Sequence, residues 1–397
     1  MKKQRLYLII TYVLVLSLML TSSISCGEKT TTEVKTLNIG LITSVTGPFA
    51  PVAKPQIDSI PATEEILNEL GGVTINGQKY NIKIIVQDDQ TSPPGGVTAI
   101  NALMQQGITL TIPSYFPPVN LAIAPIAEQN KIIRIMSGGL GNFQVNSTTK
   151  YSFYSNAVAY DVAPVYDYLA KTYPEKKKIA LVLADDPETP FVKEVILKEI
   201  QKHGLQVVSD ELYTEGIEDF SAVLTKALAN KPDAIDIGFA IPPWAKGLIV
   251  TARDFGFTGP IYASLIFGDV NLLNSMLPAK YSYDLFSVSV DVNSPQLPSL
   301  IKDLKTKMEK GGYTGFNRDN TTLLESLFVL VQAIKKAQSF DTTKIVETIE
   351  NMKGIETIYG SGQVGGMDLF GINHVIKRAL PLVSLSNGTI KLEMINP

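Results

Sequence analysis

The chain has 397 residues, a formal net charge of −3, one cysteine and two histidines. One thiol excludes an intramolecular disulfide, two histidines are too few for the usual structural zinc centre, and a mildly acidic balance lacks the basic patches that nucleic acid requires. The length suits two ordinary domains.

The first five residues, MKKQR, are strongly basic, and LYLIITYVLVLSLML follows as an almost wholly apolar run. Ser22, Ser23 and Ser25 then precede Cys26. A basic start, an apolar core and small residues before a cut predict a secretory signal over residues 1–25. The run is short for a bilayer span of about 20 residues, and no basic stop follows it. Export is therefore expected rather than a permanent span. Cleavage removes Lys2, Lys3 and Arg5 and no acid, which takes the charge from −3 to −6. Ser23-Ile24-Ser25-Cys26 resembles the lipobox of bacterial lipoproteins, which implies a lipid on Cys26 as the anchor. An ordinary cleaved signal with an incidental thiol is the alternative, but no other role is left for the cysteine. Residues 26–35, Thr-rich and low in charge, read as a short tether.

From Leu37 onward, buried strands alternate with amphipathic helices. LNIGLITSVTG is a strand running into a Gly-Pro turn, and NGQKYNIKIIVQDD is a turn and strand ending at Asp88 and Asp89. SPPGGVTAINALMQQG is a helix capped by Ser92, entered through two prolines and closed by Gly107. ITLTIPS and KIIRIMSGG are strands around the helix NLAIAPIAEQ. KKIALVLADD, LQVVSDELY, DAIDIGFA and GPIYASL are strands separated by the helices PFVKEVILKEIQKHG, DFSAVLTKALANK and PPWAKGLIVTARDFG. This alternation predicts parallel sheets covered by helices on both faces. An extended segment, YDLFSVSVDVNS, changes the rhythm. Helices LPSLIKDLKTKMEKGG, NTTLLESLFVLVQAIKKA and TTKIVETIENMKG follow, and ALPLVSLSNGTIKLEM closes as a hairpin around Asn387-Gly388.

By these segments the chain resembles the type I periplasmic solute-binding proteins of the leucine/isoleucine/valine-binding family. The matching stretches are IGLITSVTGPFA, INGQKYNIKIIVQDDQTSPPGGVTAINALMQQG, VTARDFGFTGPIYAS and GSGQVGGMDLFGINH, in that order. The resemblance implies an α/β fold of two doubly wound parallel-sheet lobes joined by a hinge of three crossovers. It puts lobe 1 at 36–155 and 287–365, and lobe 2 at 156–286 and 366–397. It further implies a small-molecule solute trapped between the lobes and delivery to ABC permease subunits. A monomer with no cofactor is expected, held outside the cytoplasm by the lipid on Cys26.

The loops at the carboxyl ends of the strands are where ligand is expected. The resemblance places Phe49 and Val52 there, then Tyr115 and Phe116, then Ser137 and Gly138. Asp186, Thr189, Ile241, Trp244 and Phe267 come from the second lobe. Ser137 with its glycines suits an anion, although the same glycines also suit a plain turn. Amino-acid binders of the family place a carboxylate near 265–267, where this chain is apolar. A buried ammonium without a counter-charge costs several kcal/mol, so an apolar branched or aromatic carboxylate is expected as solute. A ligand sensor of the same fold is the first rival; an amidase or esterase is a weaker one.

Other ionisable groups give no catalytic or metal-binding set. The pairs Asp88-Asp89 and Asp185-Asp186 sit at strand ends, where acids commonly order the following turn. His203 is expected as a solvated helix cap, and His374 stands without a predicted acid partner. Arg134, inside the strand KIIRIM, either pairs with an acid or neutralises a bound carboxylate.

Overall fold

A computed structural model describes residues 33–139 and 141–395. The signal segment, Cys26 and most of the tether lie outside the described residues.

The first half opens with β1 (Lys35–Thr43), helices α1 (Ala50–Asp58) and α2 (Ile60–Glu69), then β2 (Val73–Ile75) and β3 (Gln78–Asp88). Next come α3 (Pro93–Gln105), β4 (Leu110–Ile112), α4 (Pro117–Gln129), β5 (Ile133–Gly139) and β6 (Ser152–Ala157). The middle holds α5 (Val162–Thr172), β7 (Lys178–Ala184), α6 (Thr189–Lys202), β8 (Gln206–Tyr213), α7 (Ser221–Ala229) and β9 (Ala234–Asp236). It continues with α8 (Pro242–Asp254), β10 (Ile261–Ala263), α9 (Val270–Met276) and β11 (Leu285–Val288). The last part is α10 (Ser299–Lys310), α11 (Thr322–Ala337), α12 (Thr342–Glu350), β12 (Ile355–Thr357) and β13 (Gly360–Gly365). It ends with α13 (Met367–Phe370), β14 (Val375–Arg378), β15 (Leu380–Ser386) and β16 (Thr389–Ile395).

Two sheets organise these elements. The first has the order β12-β13-β14-β6-β5-β4-β1-β3-β2 and the second β16-β15-β11-β10-β9-β7-β8. The first has a parallel interior with antiparallel pairs at both ends, whereas the second is antiparallel at its β15–β16 end and closes at the other with β8 parallel to β7. Their central strands read as continuous apolar runs because helices cover both faces. Ile39, Leu41, Ile133 and Ile135 are fully buried in the first lobe with the apolar face of α11. Ala180, Val182, Ile235 and Ile261 form the second lobe's core on one face of its sheet, and Leu181, Tyr166 and Phe286 pack on the other.

The chain passes between sheets three times: after β6, after β11 and after β14. These positions refine the expected lobe limits. Residues 366–397 were assigned wholly to lobe 2, but β14 pairs with β13 across the turn at α13 and with β6 at Tyr154. That strand therefore belongs to the first sheet, and the last crossing falls at Ala379. Likewise β11 pairs with β10 through Ser287 and with β15 through Val288, so the second crossing lies just beyond 287.

Local signals behave as their chemistry requires. Ser92 Oγ accepts from the Gly95 N–H at 3.1 Å and caps α3. Asn387 and Gly388 both take positive φ and make the two-residue turn of the β15–β16 hairpin. Gly95 is constrained by close approach, since a Cβ there would meet the Asp89 carbonyl oxygen at 2.1 Å. Helix propensity alone favours alanine by about 1 kcal/mol. The clash is expected to win, with Gly95→Ala lowering unfolding free energy by about 1–3 kcal/mol in a denaturant titration. A stabilised variant would show that the Asp89 turn yields freely.

Candidate functional site

Three turns of the first lobe are tied together by the aspartate pair. Asp88 Oδ1 accepts from the N–H groups of Val45 (3.0 Å), Thr46 (3.1 Å) and Gln90 (2.9 Å). Burial opposes ionisation of Asp88, but these bonds and the Thr46 hydroxyl outweigh it and hold the carboxyl below its usual range. Asp89 accepts from Ser44 Oγ at 2.6 Å, Thr91 N–H at 2.8 Å and Ser114 Oγ at 2.5 Å. The turn reading of this pair holds. Its effect is to fix the loops after β1, β3 and β4 on one side of the lobe.

On that frame, the Phe49 N–H donates to Thr91 Oγ1 at 3.1 Å. Its ring lies 5.3 Å from that of Phe116, tilted by 40°, a favourable aromatic separation. Val52 is half exposed beside them on α1. Tyr115 turns the other way, into a polar interior beside Asp319, Thr322, Arg318 and Glu325, and burial pushes its hydroxyl well above the usual range.

That interior centres on Glu325 of α11. Ser137 Oγ donates to Glu325 Oε2 at 2.8 Å, so the hydroxyl expected to face an anion is already engaged. Glu325 Oε1 lies 2.6 Å from Arg378 Nε, a close ion pair that is not aligned as a hydrogen bond. The Arg378 guanidinium also sits 4.0 Å over the Tyr359 ring and donates to the Ala379 carbonyl at 3.0 Å. Gly138 has φ +80° and open space where a Cβ would stand. At the β6–α5 junction, Asp161 is buried and its Oδ1 has no hydrogen-bond partner. Burial raises its carboxyl to about 7, against the opposing pull of Arg378 and Arg318.

In the second lobe, Asp186 Oδ1 accepts from the N–H groups of Glu188 (2.7 Å) and Thr189 (3.0 Å). The Thr189 hydroxyl donates to Asp186 Oδ2 at 2.8 Å and lies 2.7 Å from the Ala184 carbonyl. Asp186 thus orders the start of α6 through most of its lone pairs. Glu188 reaches across to the first lobe and accepts from the Gly141 N–H; burial and the Asp186 charge raise it to about 7. A narrow crevice with only about 10 Å³ of free space is lined there by Asp186, Glu188, Thr189, Gly238, Phe239 and Leu265.

The remaining second-lobe expectations fare differently. Ile241 is half-buried at the start of α8. Trp244 is half-buried too, but it packs on the lobe core with its ring edge-on to Tyr213 at 6.2 Å. Phe267, expected in the cleft, is buried in that core, because the backbone after β10 turns its side chain under α8.

Other groups are also settled. Arg134 donates to Ser152 Oγ at 2.6 Å and to the Asn120 carbonyl at 3.2 Å. Ser152 in turn donates to Glu128 Oε1 at 2.9 Å, so Arg134 is linked to an acid through that hydroxyl rather than by an ion pair. Desolvation lowers Arg134 to about 10, with Glu128 opposing. His374 does have an acid partner: Nε2 lies 2.9 Å from Glu350 Oε1, and the ring stacks on Phe153 at 3.9 Å. His203 ends α6 near Asp167 and Glu199, with Lys202 between the same two acids. That lysine offsets one of the two acidic charges.

Sequence reasoning missed Asp161, Arg318, Glu325 and Arg378. Glu325 had a visible signal, as the only acid in the apolar helix TTLLESLFVLV. Asp161 in NAVAYDVAPVY gave the same kind of signal.

A family model described as periplasmic binding protein matches residues 36–389. An amino acid binding protein of Pseudomonas aeruginosa is 24% identical over 327 residues, 81% of this chain and 84% of that protein. The substrate-binding protein LivJ of Streptococcus pneumoniae, solved with isoleucine, is similar at TM-score 0.68 and 17% identity, over 91% of this chain and 100% of that one. An ABC-transporter solute-binding protein of R. palustris, solved with benzoate, is similar at TM-score 0.68 and 14% identity, over 91% and 97%.

Proposed function

The chain belongs to the periplasmic binding protein family, and from that membership we propose that it captures a small carboxylate with an apolar, branched or aromatic body. The lobes close on the solute about the three crossovers, and the closed form delivers it to ABC permease subunits. The family is one of extracytoplasmic solute-binding proteins rather than enzymes. In this reading a lipid on Cys26, at the end of the signal-like segment, anchors a monomer at the membrane. No helix among the described residues is long and apolar enough to cross one.

The observation that carries the proposal is the contact of carboxyl-end loops across the lobes, where Glu188, just before α6, meets Gly141 of the loop after β5. A solute entering between these loops is gripped from both sides. The Phe49–Phe116 pair offers apolar surface on the first lobe, and the left-handed Gly138 has open space where a Cβ would stand. Burying apolar solute surface supplies most of the affinity, and a few polar groups orient it. The solute classes of the similar proteins, an amino acid and an aromatic acid, fit this description.

Thermal shift with benzoate, 3-phenylpropanoate and 4-methylpentanoate tests the solute class, with polyols and amides as controls. An acid at 100 times its Kd is expected to stabilise by about 2.7 kcal/mol. Small-angle scattering is expected to record a smaller radius of gyration with that acid. A panel in which polyols or amides raise the melting point and no carboxylate does would overturn the proposal.

A further inference from the structure

One end of the second lobe carries a group of side chains that solute capture leaves unused. Asp167 of α5, Glu199 of α6 and His203, the residue that ends α6, bring two carboxylate oxygens and Nε2 within 4.8 Å of one another. Nε2 lies 2.9 Å from Asp167 Oδ1 and 3.6 Å from Glu199 Oε2. It is screened from solvent, yet neither contact is aligned as a hydrogen bond. A tetrahedral ion at about 2.1 Å from each ligand needs ligand atoms about 3.4 Å apart. The two observed distances straddle that spacing.

The supports of the group are rigid. Glu199 and His203 stand four residues apart, so they share one face of a helix. The His203 N–H donates to the Glu199 carbonyl at 3.0 Å, which keeps the last turn in helical register. Asp167 comes from the neighbouring helix, and the apolar faces of α5 and α6 share one core with the second sheet. Because the third ligand lies in another helix, the sequence alone shows only a Glu-x-x-x-His pair.

Charge points the same way. Lys202 Nζ stands 2.9 Å from Glu199 Oε2 and 3.5 Å from Asp167 Oδ1. It fills a cation's place with half the charge needed, one ammonium against two carboxylates. Its side chain is 52% exposed, so it can swing into water for the small cost of an exposed ion pair. A divalent ion in its place balances both acids.

We propose that Asp167, Glu199 and His203 bind a zinc ion, which displaces the Lys202 ammonium. The imidazole decides the class of metal. Magnesium and calcium prefer shells of oxygen alone, whereas zinc takes imidazole and carboxylate together. Nε2 coordinates through its lone pair, so the ring proton sits on Nδ1. Three protein ligands leave a fourth position open to solvent. The site is distant from the solute crevice: Thr189 begins α6 beside it, and His203 follows the helix end, about 21 Å along its axis. The ion therefore fastens α5 to α6 without entering the cleft.

Calorimetry and thermal shift with zinc chloride test the assignment on the full mature chain, stripped of metal and carrying Cys26→Ser so that no thiol competes. One zinc per chain is expected to bind and to raise the melting temperature; magnesium and calcium at the same concentration are expected to do neither. His203→Ala and Asp167→Asn are each expected to weaken zinc binding at least about tenfold, since even indirect disturbance of a metal's surroundings costs that much. Lys202→Met is expected to tighten it roughly two- to fivefold, because the competing ammonium is gone. If His203→Ala folds poorly, Lys202→Met still decides: unchanged affinity there means that the ion does not enter between the two carboxylates. Zinc that binds His203→Ala as tightly as the parent sits elsewhere and overturns the assignment. So does the absence of any zinc binding up to about 1 mM. Solute capture is measured without metal and stands or falls separately.

Discussion

Replacing Arg378 with alanine is expected to lower the free energy of unfolding by about 3–5 kcal/mol, the loss typical when one member of a buried ion pair is removed. Arg378 and Glu325 are 4 % and 2 % exposed in their side chains, so neither can recruit bulk water once its partner is gone. Removing the guanidinium leaves Glu325 buried without its ion-pair partner and takes from Asp161 the larger of its two opposing charges, leaving Arg318 alone. It also takes a planar cation off the Tyr359 ring. The cost arises from what remains rather than from what is lost. Arg378→Met combined with Glu325→Leu removes both charges at similar volume. That double variant is therefore expected within about 2 kcal/mol of the parent, despite the stranded Ser137 hydroxyl. Urea titrations of the parent, both single variants and the double variant complete the cycle. Single variants that unfold like surface substitutions, within about 0.5 kcal/mol of the parent, would refute the picture of a dry, tightly coupled seam.

The fold was readable because its signals are local and repeated. Apolar runs of strand length alternate with helical periods, and Ser92, Gly107 and Asn387-Gly388 mark boundaries by backbone chemistry that does not depend on distant contacts. The error in the last lobe limit has the opposite origin. β14 is a four-residue strand after a tight turn, and only its pairing with β13 and β6 tells which sheet it joins. Nothing within VIKR carries that information.

The site was less readable for the same reason. Phe267 and Trp244 were placed near the cleft because they follow strand ends, but a loop residue's direction depends on the backbone of a neighbouring helix. The charged interior is built from residues far apart in the chain: Asp161 after β6, Arg318 before α11, Glu325 within it and Arg378 at the end of β14. Each alone is an isolated charge in an apolar stretch. Their joint meaning emerges only when three crossovers bring them together.

Stability is expected to fall as pH rises from about 5 to about 7 in solute-free protein. The direction follows from proton counts. An unfolded chain ionises Asp161 near its ordinary 3.8, whereas the folded chain keeps the proton until about 7. Across that interval the native state binds more protons than the unfolded state, so each step upward favours unfolding. Below both values the group is protonated in either state and contributes nothing; above both, the penalty is complete, on the order of 4 kcal/mol. Glu188, raised to about 7 by burial and by Asp186, adds in the same direction, less strongly because it is more open to solvent. Asp88 acts oppositely, but its contribution is gained as pH rises toward the ordinary aspartate range and is already in place by pH 5. The window between 5 and 7 therefore excludes Asp88, while the buried Asp236 of the second lobe, also raised by desolvation, adds to the fall. Asp161→Asn is expected to flatten most of the slope and to exceed the parent in stability at pH 8, which a series of denaturant titrations from pH 5 to 8 measures directly. A parent protein with level stability across that window, or a variant that keeps the parent's slope, would mean that water or a local donor reaches the Asp161 carboxylate. Asp161 would then be an ordinary hydrated hinge residue.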